Sequence, residues 1–316
     1  MANSTGIVTA SSLNLRATPS TSGTLVAQLP RGAVVEIVDR SGSWYQVHSP
    51  AGDGFVHGDF VSVVETEPAA SFLFERDDLK AVPLAPSDAG LIKLPSGGTA
   101  AQKTVTQTWN TQGGLLQALS DLVALEPGAA VAVLCVESGG KGFGADGRMI
   151  IRFENHVFWD KWGQTHVDVF NAHFRFNPQK RWLGHQFRSD PNGAWLPCHT
   201  SQDVEWRVLA FARGLDNRAG LFSISMGGPQ IMGFNNHLIG YEDPETMFAN
   251  FSSDLRFQIL GLFDFVKGSG TTSKMLEALR RNRFNDFASL YNGPGQAAEY
   301  GSRIQSFYTA FQGLKA

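Results

Sequence analysis

The run Cys135-Val136-Glu137-Ser138-Gly139-Gly140 sets one carboxylate between an apolar stretch and a pair of glycines. The apolar stretch begins at Pro127, a residue suited to the first helical turn, and glycines commonly stop a helix. Glu137 is therefore expected in a last helical turn, where the backbone dipole disfavours negative charge. Flanking apolar side chains would add desolvation. Both effects raise a carboxyl pKa, and a carboxyl still protonated near neutral pH can act as a general acid. On position alone, a solvated glutamate at a frayed helix end is the alternative.

Acid catalysis at one carboxyl needs support for the attacking water or for a cationic transition state. Glu154 is the first candidate, lying across an expected hairpin from Glu137; Asp146 and Asp160 are further ones. Glu154 reads equally as a partner for Arg148, Arg152 or His156. Histidines 156, 166, 173, 185 and 199 gather loosely with Cys198, but no pair has metalloprotease spacing or a Cys-x-x-Cys partner. Solvated or hydrogen-bonded histidines are the expectation, with no metal and no cofactor.

These groups need a scaffold, and the period of the sequence changes along the chain. Residues 1–64 carry short β-branched runs (6–9, 33–38, 44–47 and 54–57) with turn clusters at 41–43 and 50–54. That pattern predicts a small all-β barrel. Residues 65–104, with Pro68, Pro83, Pro86, Pro95 and Gly97-Gly98, read as an interdomain linker that packs partly on a neighbour. From 105 to 316 the period is helical. Helices are expected around Leu115–Val123, over 128–137, and at Ser201–Leu215, Pro244–Phe251, Ser253–Val266, Thr272–Arg281 and Gln296–Phe311. Ser201, Ser252 and Thr272 are the expected caps. Phe143–Phe153 is expected as a short hairpin about Ala145-Asp146-Gly147. Nineteen of the 23 phenylalanines lie in 105–316, which makes them the core of that region, a rigid body around Glu137.

Composition limits the partners. Lys and Arg total 26 against 29 Asp and Glu in 316 residues, so no cationic face for nucleic acid is expected. Two cysteines make no disulfide framework. The first residues lack a basic and apolar leader, and the longest apolar run, 129–136, is too short to insert in a membrane. A monomeric protein made in the cytoplasm is expected.

Two resemblances sharpen this reading. Leu13-Asn14-Leu15-Arg16-Ala17-Thr18-Pro19, Gly42-Ser43-Trp44-Tyr45-Gln46-Val47 and Gly54-Phe55-Val56-His57-Gly58-Asp59-Phe60-Val61, in that order, resemble a bacterial SH3-like (SH3b) domain. The resemblance implies a barrel that binds peptidoglycan, commonly its peptide. Trp44, Tyr45 and Phe55 are then candidates for an aromatic groove, or else for barrel core. Four motifs in 105–316 are similar to the bacterial and phage N-acetylmuramidases of the lysozyme-like superfamily: Glu137-Ser138-Gly139, Phe153-Glu154-Asn155-His156-Val157-Phe158, residues 226–233, and residues 287–295. They imply a mostly α, lysozyme-like α+β fold and hydrolysis of the β-1,4 bond between N-acetylmuramic acid and N-acetylglucosamine.

By the same resemblance Glu137 matches the catalytic acid, and Ser138, Gln230, Tyr291 and Asn292 are implied to contact substrate. Tyr291 and Asn292 also belong to strong turn chemistry. Trp159, Trp162, Trp182, Trp195 and Trp206 are candidates for sugar stacking or core. The chain departs from the family pattern at Met226, where tryptophan is usual, at Gly228-Pro229, where leucine and phenylalanine are usual, and at Asn155, often arginine. The leading reading is a modular endolysin or autolysin that reaches the wall through a holin or another export route. A lytic transglycosylase and a non-catalytic wall-binding protein are the alternatives.

Overall fold

The computed structural model describes residues 4–49, 51–64, 72–268 and 273–315. The chain divides into two units, Met1–Ser71 and Phe72–Ala316.

The first unit is a seven-stranded antiparallel sheet. Its strands are β1 (Ser4–Val8), β2 (Ser12–Arg16), β3 (Leu25–Pro30), β4 (Val34–Ser41), β5 (Trp44–Ser49), β6 (Gly52–His57) and β7 (Val61–Val64), in the order β3-β2-β6-β5-β4-β1-β7. Alternation sets its single core. Leu13 and Leu15 are buried on either side of Asn14, and Val35 and Ile37 flank an exposed Glu36. Gly42 turns β4 into β5 at φ 62°, a conformation glycine adopts without strain. Pro50, first of the expected turn cluster at 50–54, lies outside the described residues, and Gly52–Gly54 belong to β6.

The second unit is mostly helical. In chain order it contains α1 (Asp77–Lys80), α2 (Ala100–Leu122), α3 (Pro127–Ser138), β8 (Ile151–Phe153), α4 (Asn155–Lys161), α5 (Val167–His173), β9 (Phe174–Arg175), β10 (Gln186–Phe187), β11 (Leu196–Pro197), α6 (Gln202–Leu215), α7 (Asn217–Phe222), β12 (Ile224–Met226), β13 (Ile231–Met232), α8 (Pro244–Ser253), α9 (Leu255–Lys267), α10 (Lys274–Arg280), α11 (Phe284–Tyr291) and α12 (Ala297–Lys315). It has two apolar cores. One surrounds α3, every residue of which from Gly128 to Val136 is buried, with α2 and α12 packed against it. An all-apolar helix of this kind is stable only inside a core. The other core is aromatic. Phe153, Phe158, Phe170, Phe174 and Phe187 meet ring to ring, with centroids 5.1–6.3 Å apart. The aromatic body expected around Glu137 is thus built mainly beside Glu154, and α3 is packed largely by aliphatic residues.

Several expectations are corrected. Residues 65–71 lie outside the described residues, but 72–104 are integral to the second unit. Leu73, Leu79 and Ile92 are buried in the core around α3. The backbone of this proline-rich stretch bonds to side chains of distant helices. Leu73 N–H donates to Asp264 Oδ2 (2.8 Å), Asn110 bonds both the N–H and the C=O of Ile92, and Trp109 Nε1 donates to Gly90 O (2.7 Å). Such satisfaction leaves no periodic signature in sequence. Helix α2 starts at residue 100, fixed by a Thr99–Gln102 capping box.

The expected hairpin shrinks to a Phe143–Met149 bridge around the turn, because β8 pairs with β12 instead. Ser201 caps α6 as expected, whereas Ser252 lies within α8 and Asp254 caps α9. Thr272 lies outside the described residues, and Ser273 caps α10. Helices α4, α5, α7 and α11 carry too few turns to register a period.

Candidate active site

Glu137 is the penultimate residue of α3, which ends on Gly139 at φ 65°. Gly140 N–H returns to Leu134 O (3.0 Å), closing the helix in a Schellman-type cap. Gly140 has φ 74°, and a Cβ there would meet Thr108 Oγ1 of α2 at 1.8 Å, so only glycine lets α2 come this close. Gln112 Nε2 of the same helix donates to Gly140 O (2.7 Å). The end of α3 is thereby held against α2, and the Glu137 side chain leaves it half-buried.

Glu137 Oε1 accepts a hydrogen bond from Asn292 Nδ2 (2.9 Å), just past the end of α11. Burial pushes its carboxyl pKa up from 4.5 to about 7, against smaller opposing effects from that amide and from the Arg303 charge. A large share of these carboxyls therefore still carries the proton near neutral pH. The cause is desolvation in the α3 core, the second of the two effects expected from the sequence.

A cleft of about 1080 Å³ opens beside Glu137, and Glu154 lines it as well. Asn292, Gln296, Tyr300, Arg152, Ser225 and Gln230 line it with them. Glu154 lies between β8 and α4. Its Oε1 accepts from Arg152 Nε (2.8 Å), while Oε2 faces His185 Nδ1 (3.4 Å) and His156 Nδ1 (3.5 Å). It is thus both a cleft residue and an ion partner, so both sequence readings describe it. Arg148 instead pairs with Asp146 and Asp203, and Asp160 pairs with Arg181. Neither Asp146 nor Asp160 lines the cleft.

The other expected substrate contacts divide. Asn292 lines the cleft. Gln230 does too, but protein groups occupy its amide. Oε1 accepts from Ser225 Oγ (2.7 Å), and Nε2 donates to Gly227 O (2.7 Å) and Ile150 O (3.4 Å). At φ 54° it shapes the turn between β12 and β13 rather than offering a free amide. Ser138 does not line the cleft, and its hydroxyl returns to Leu134 O. Tyr291 also lies off the cleft. Its hydroxyl donates to Pro229 O (2.7 Å), and its ring stacks on Phe287. That bond ties the departing Gly228-Pro229 segment to α11, while Met226 fills the core completely buried. Asn155 is likewise structural, its Nδ2 joining Arg175 O of β9 to Gln186 O of β10.

Of the tryptophans, Trp182 lines the cleft, 54% exposed. Trp195 is clamped by Arg175 and Arg188, each 4.3 Å from its ring, and Trp162 is buried against Phe158. In the first unit, Trp44 meets His57 edge-on at 5.1 Å, and Phe60 follows at 5.9 Å. Tyr45, next along the strand, packs toward the sheet's core instead of beside Trp44.

Sequence reasoning missed Tyr300, which lines the cleft from α12 with Arg303 5.4 Å over its ring, and Arg303 itself, whose Nη2 donates to Val136 O. No motif marks them, since both reach the site across the core from the far end of the chain. The histidines also regroup. His185, His199 and His156 gather near Glu154 and Glu205, whereas His166 stacks on Trp162 and His173 bonds Arg188 O.

Comparison with known families matches residues 126–312 to the profile described as N-acetylmuramidase, and residues 11–62 to that of the bacterial SH3 domain. Among solved structures, the crystal structure of a Burkholderia AP3 phage endolysin is similar at 26% identity and a TM-score of 0.48, over 62% of this chain and 70% of that one. Comparison with curated proteins found no match.

Proposed function

The chain belongs to the N-acetylmuramidase family and carries a bacterial SH3 domain, and from that premise we propose that it hydrolyses the β-1,4 bond between N-acetylmuramic acid and N-acetylglucosamine with Glu137 as the acid. The chain is a peptidoglycan hydrolase of the muramidase kind; the bond, the acid and the glycosidase chemistry are the proposal. One observation carries it: a carboxyl that burial holds protonated up to about pH 7 opens onto a cleft large enough for several sugar rings.

In this reading Glu137 gives its proton to the glycosidic oxygen as the C1–O bond breaks. Asn292 holds Oε1, which leaves the other carboxyl oxygen for the substrate. The resulting carboxylate is charged in a poorly solvated place, so it is strongly driven to take a proton back from water. Glu154, anchored by Arg152, is the second carboxylate of the cleft and supports the cationic sugar or the incoming water. The SH3 domain supplies wall attachment through Trp44, His57 and Phe60, and the enzyme acts on the bacterial wall after leaving the cytoplasm.

Mass spectrometry of fragments from purified sacculi tests the reading. Reducing N-acetylmuramic acid ends are expected. Anhydro-muramic ends would indicate a transglycosylase, and reducing N-acetylglucosamine ends would indicate cleavage of the other glycosidic bond; either overturns it.

A further inference from the structure

Glu154, His156 and His185 bring Oε2 and two Nδ1 atoms within 4.8 Å of one another, next to the cleft. We propose that these three side chains form a binding site for a divalent transition-metal ion of the zinc type. The proposal rests on this geometry and not on Glu137; with Arg152 on Oε1 and the ion on Oε2, metal-loaded Glu154 serves as a ligand, and its part in hydrolysis belongs to the metal-free protein.

The spacing fits a metal. Tetrahedral zinc with Zn–N and Zn–O near 2.0–2.2 Å separates adjacent ligand atoms by about 3.3–3.6 Å. Glu154 Oε2 lies 3.4 Å from His185 Nδ1 and 3.5 Å from His156 Nδ1. Those separations are long for charge-assisted hydrogen bonds, which run nearer 2.7–2.9 Å. Glu154 Oε2 and His156 Nδ1 are both buried and without a hydrogen-bond partner among the described residues. Unpaired buried polar atoms are costly, and two of them turned toward one point mark a place for a ligand.

The surrounding bonds orient the donors. His185 Nε2 faces Arg181 O at 2.8 Å, and a carbonyl can only accept, so the proton sits on Nε2 and Nδ1 carries the lone pair. His199 Nε2 lies 3.1 Å from that Nδ1, with its own Nδ1 2.8 Å from Glu205 Oε1, and a cation on His185 Nδ1 would replace the contact between the two rings. Arg152 holds Glu154 Oε1 and leaves Oε2 directed at the histidines. Arg181 Nη2 grips His156 O (3.1 Å) and pairs with Asp160, which fixes the first turn of α4. Two imidazoles with one carboxylate favour zinc, cobalt or nickel over calcium or magnesium, which prefer oxygen donors. The remaining coordination positions are left to water or to a cleft ligand.

The test titrates chelator-treated full-length protein with Zn²⁺ and with Co²⁺. One equivalent of Zn²⁺ should bind and raise the melting temperature, and Co²⁺ should give the intense visible bands of a tetrahedral site. His156→Ala, at a partly exposed position, should weaken binding by roughly 100-fold or more while leaving the metal-free melting temperature unchanged. Glu154→Gln provides a second variant with the same expected loss. Binding well below one equivalent, or binding that survives either substitution, overturns the site, because the ion would then sit elsewhere, for example at the exposed His48–Asp53 pair.

Discussion

Glu137 stands in the last turn of a helix in which the nine residues before it are all buried, and its side-chain hydrogen bond comes from a neutral amide, Asn292. Glu154 opens on the same cleft but meets a guanidinium and two imidazoles, and it lies against the aromatic core. One carboxyl is thus governed by loss of water and the other by specific charged neighbours. The same side-chain type is given two different electrostatic settings by what surrounds it.

The contrast breaks first if Glu137 is not the proton donor. Glu137→Gln should cut hydrolysis of sacculi by about 10²–10⁴-fold while the folded state persists. Wild-type activity should fall as pH rises past about 7, when the acid loses its proton. A turbidity assay showing an active glutamine variant, or a rate flat well into the alkaline range, would remove Glu137 from the role.

The same burial predicts a stability signature. The folded-state pKa lies above the unfolded value of 4.5, so the wild type is penalised as the unfolded chain ionises first, between pH 4.5 and about 7. Relative to Glu137→Gln, it should lose about 3 kcal/mol across that window and nothing further above it. Denaturant titrations of both proteins at several pH values would show this. Parallel pH profiles would mean that Glu137 is better solvated than its surroundings indicate.

Gln230 sharpens the comparison on the opposite wall. Its amide is spent on Ser225, Gly227 and Ile150, so Gln230→Ala should cost about 1–3 kcal/mol of stability, read by chemical denaturation. A stable variant with only a raised KM would return Gln230 to direct substrate contact. The smallest effect is expected at Asn292. Its amide favours the ionised form of Glu137, so Asn292→Ala should move the alkaline limb of the rate profile to higher pH and lower the rate roughly 2–10-fold. A limb that moves to lower pH would contradict that arrangement.

Legibility in the sequence followed the range of the interactions. The strands of the first unit, α3 with its proline start and glycine stop, and Glu137 at its end are local features of pattern and turn chemistry. The segment 72–104 was unreadable as part of the second unit because Asn110, Trp109 and Asp264 satisfy its backbone from far along the chain. Tyr291 was misplaced for a similar reason: its motif is local, but the Pro229 carbonyl that claims its hydroxyl is not.

The sequence by itself therefore determined the two-part architecture, the family and the place of Glu137 at a helix end, since each is written in short motifs and in hydrophobic period. Only the tertiary structure decided what faces that carboxyl. Asn292, Tyr300 and Arg303 reach Glu137 from over 150 residues away in the chain, and His185 joins His156 on Glu154 from a separate element. Desolvation and ligand geometry depend on atoms brought together in space, and no spacing along the chain encodes that approach.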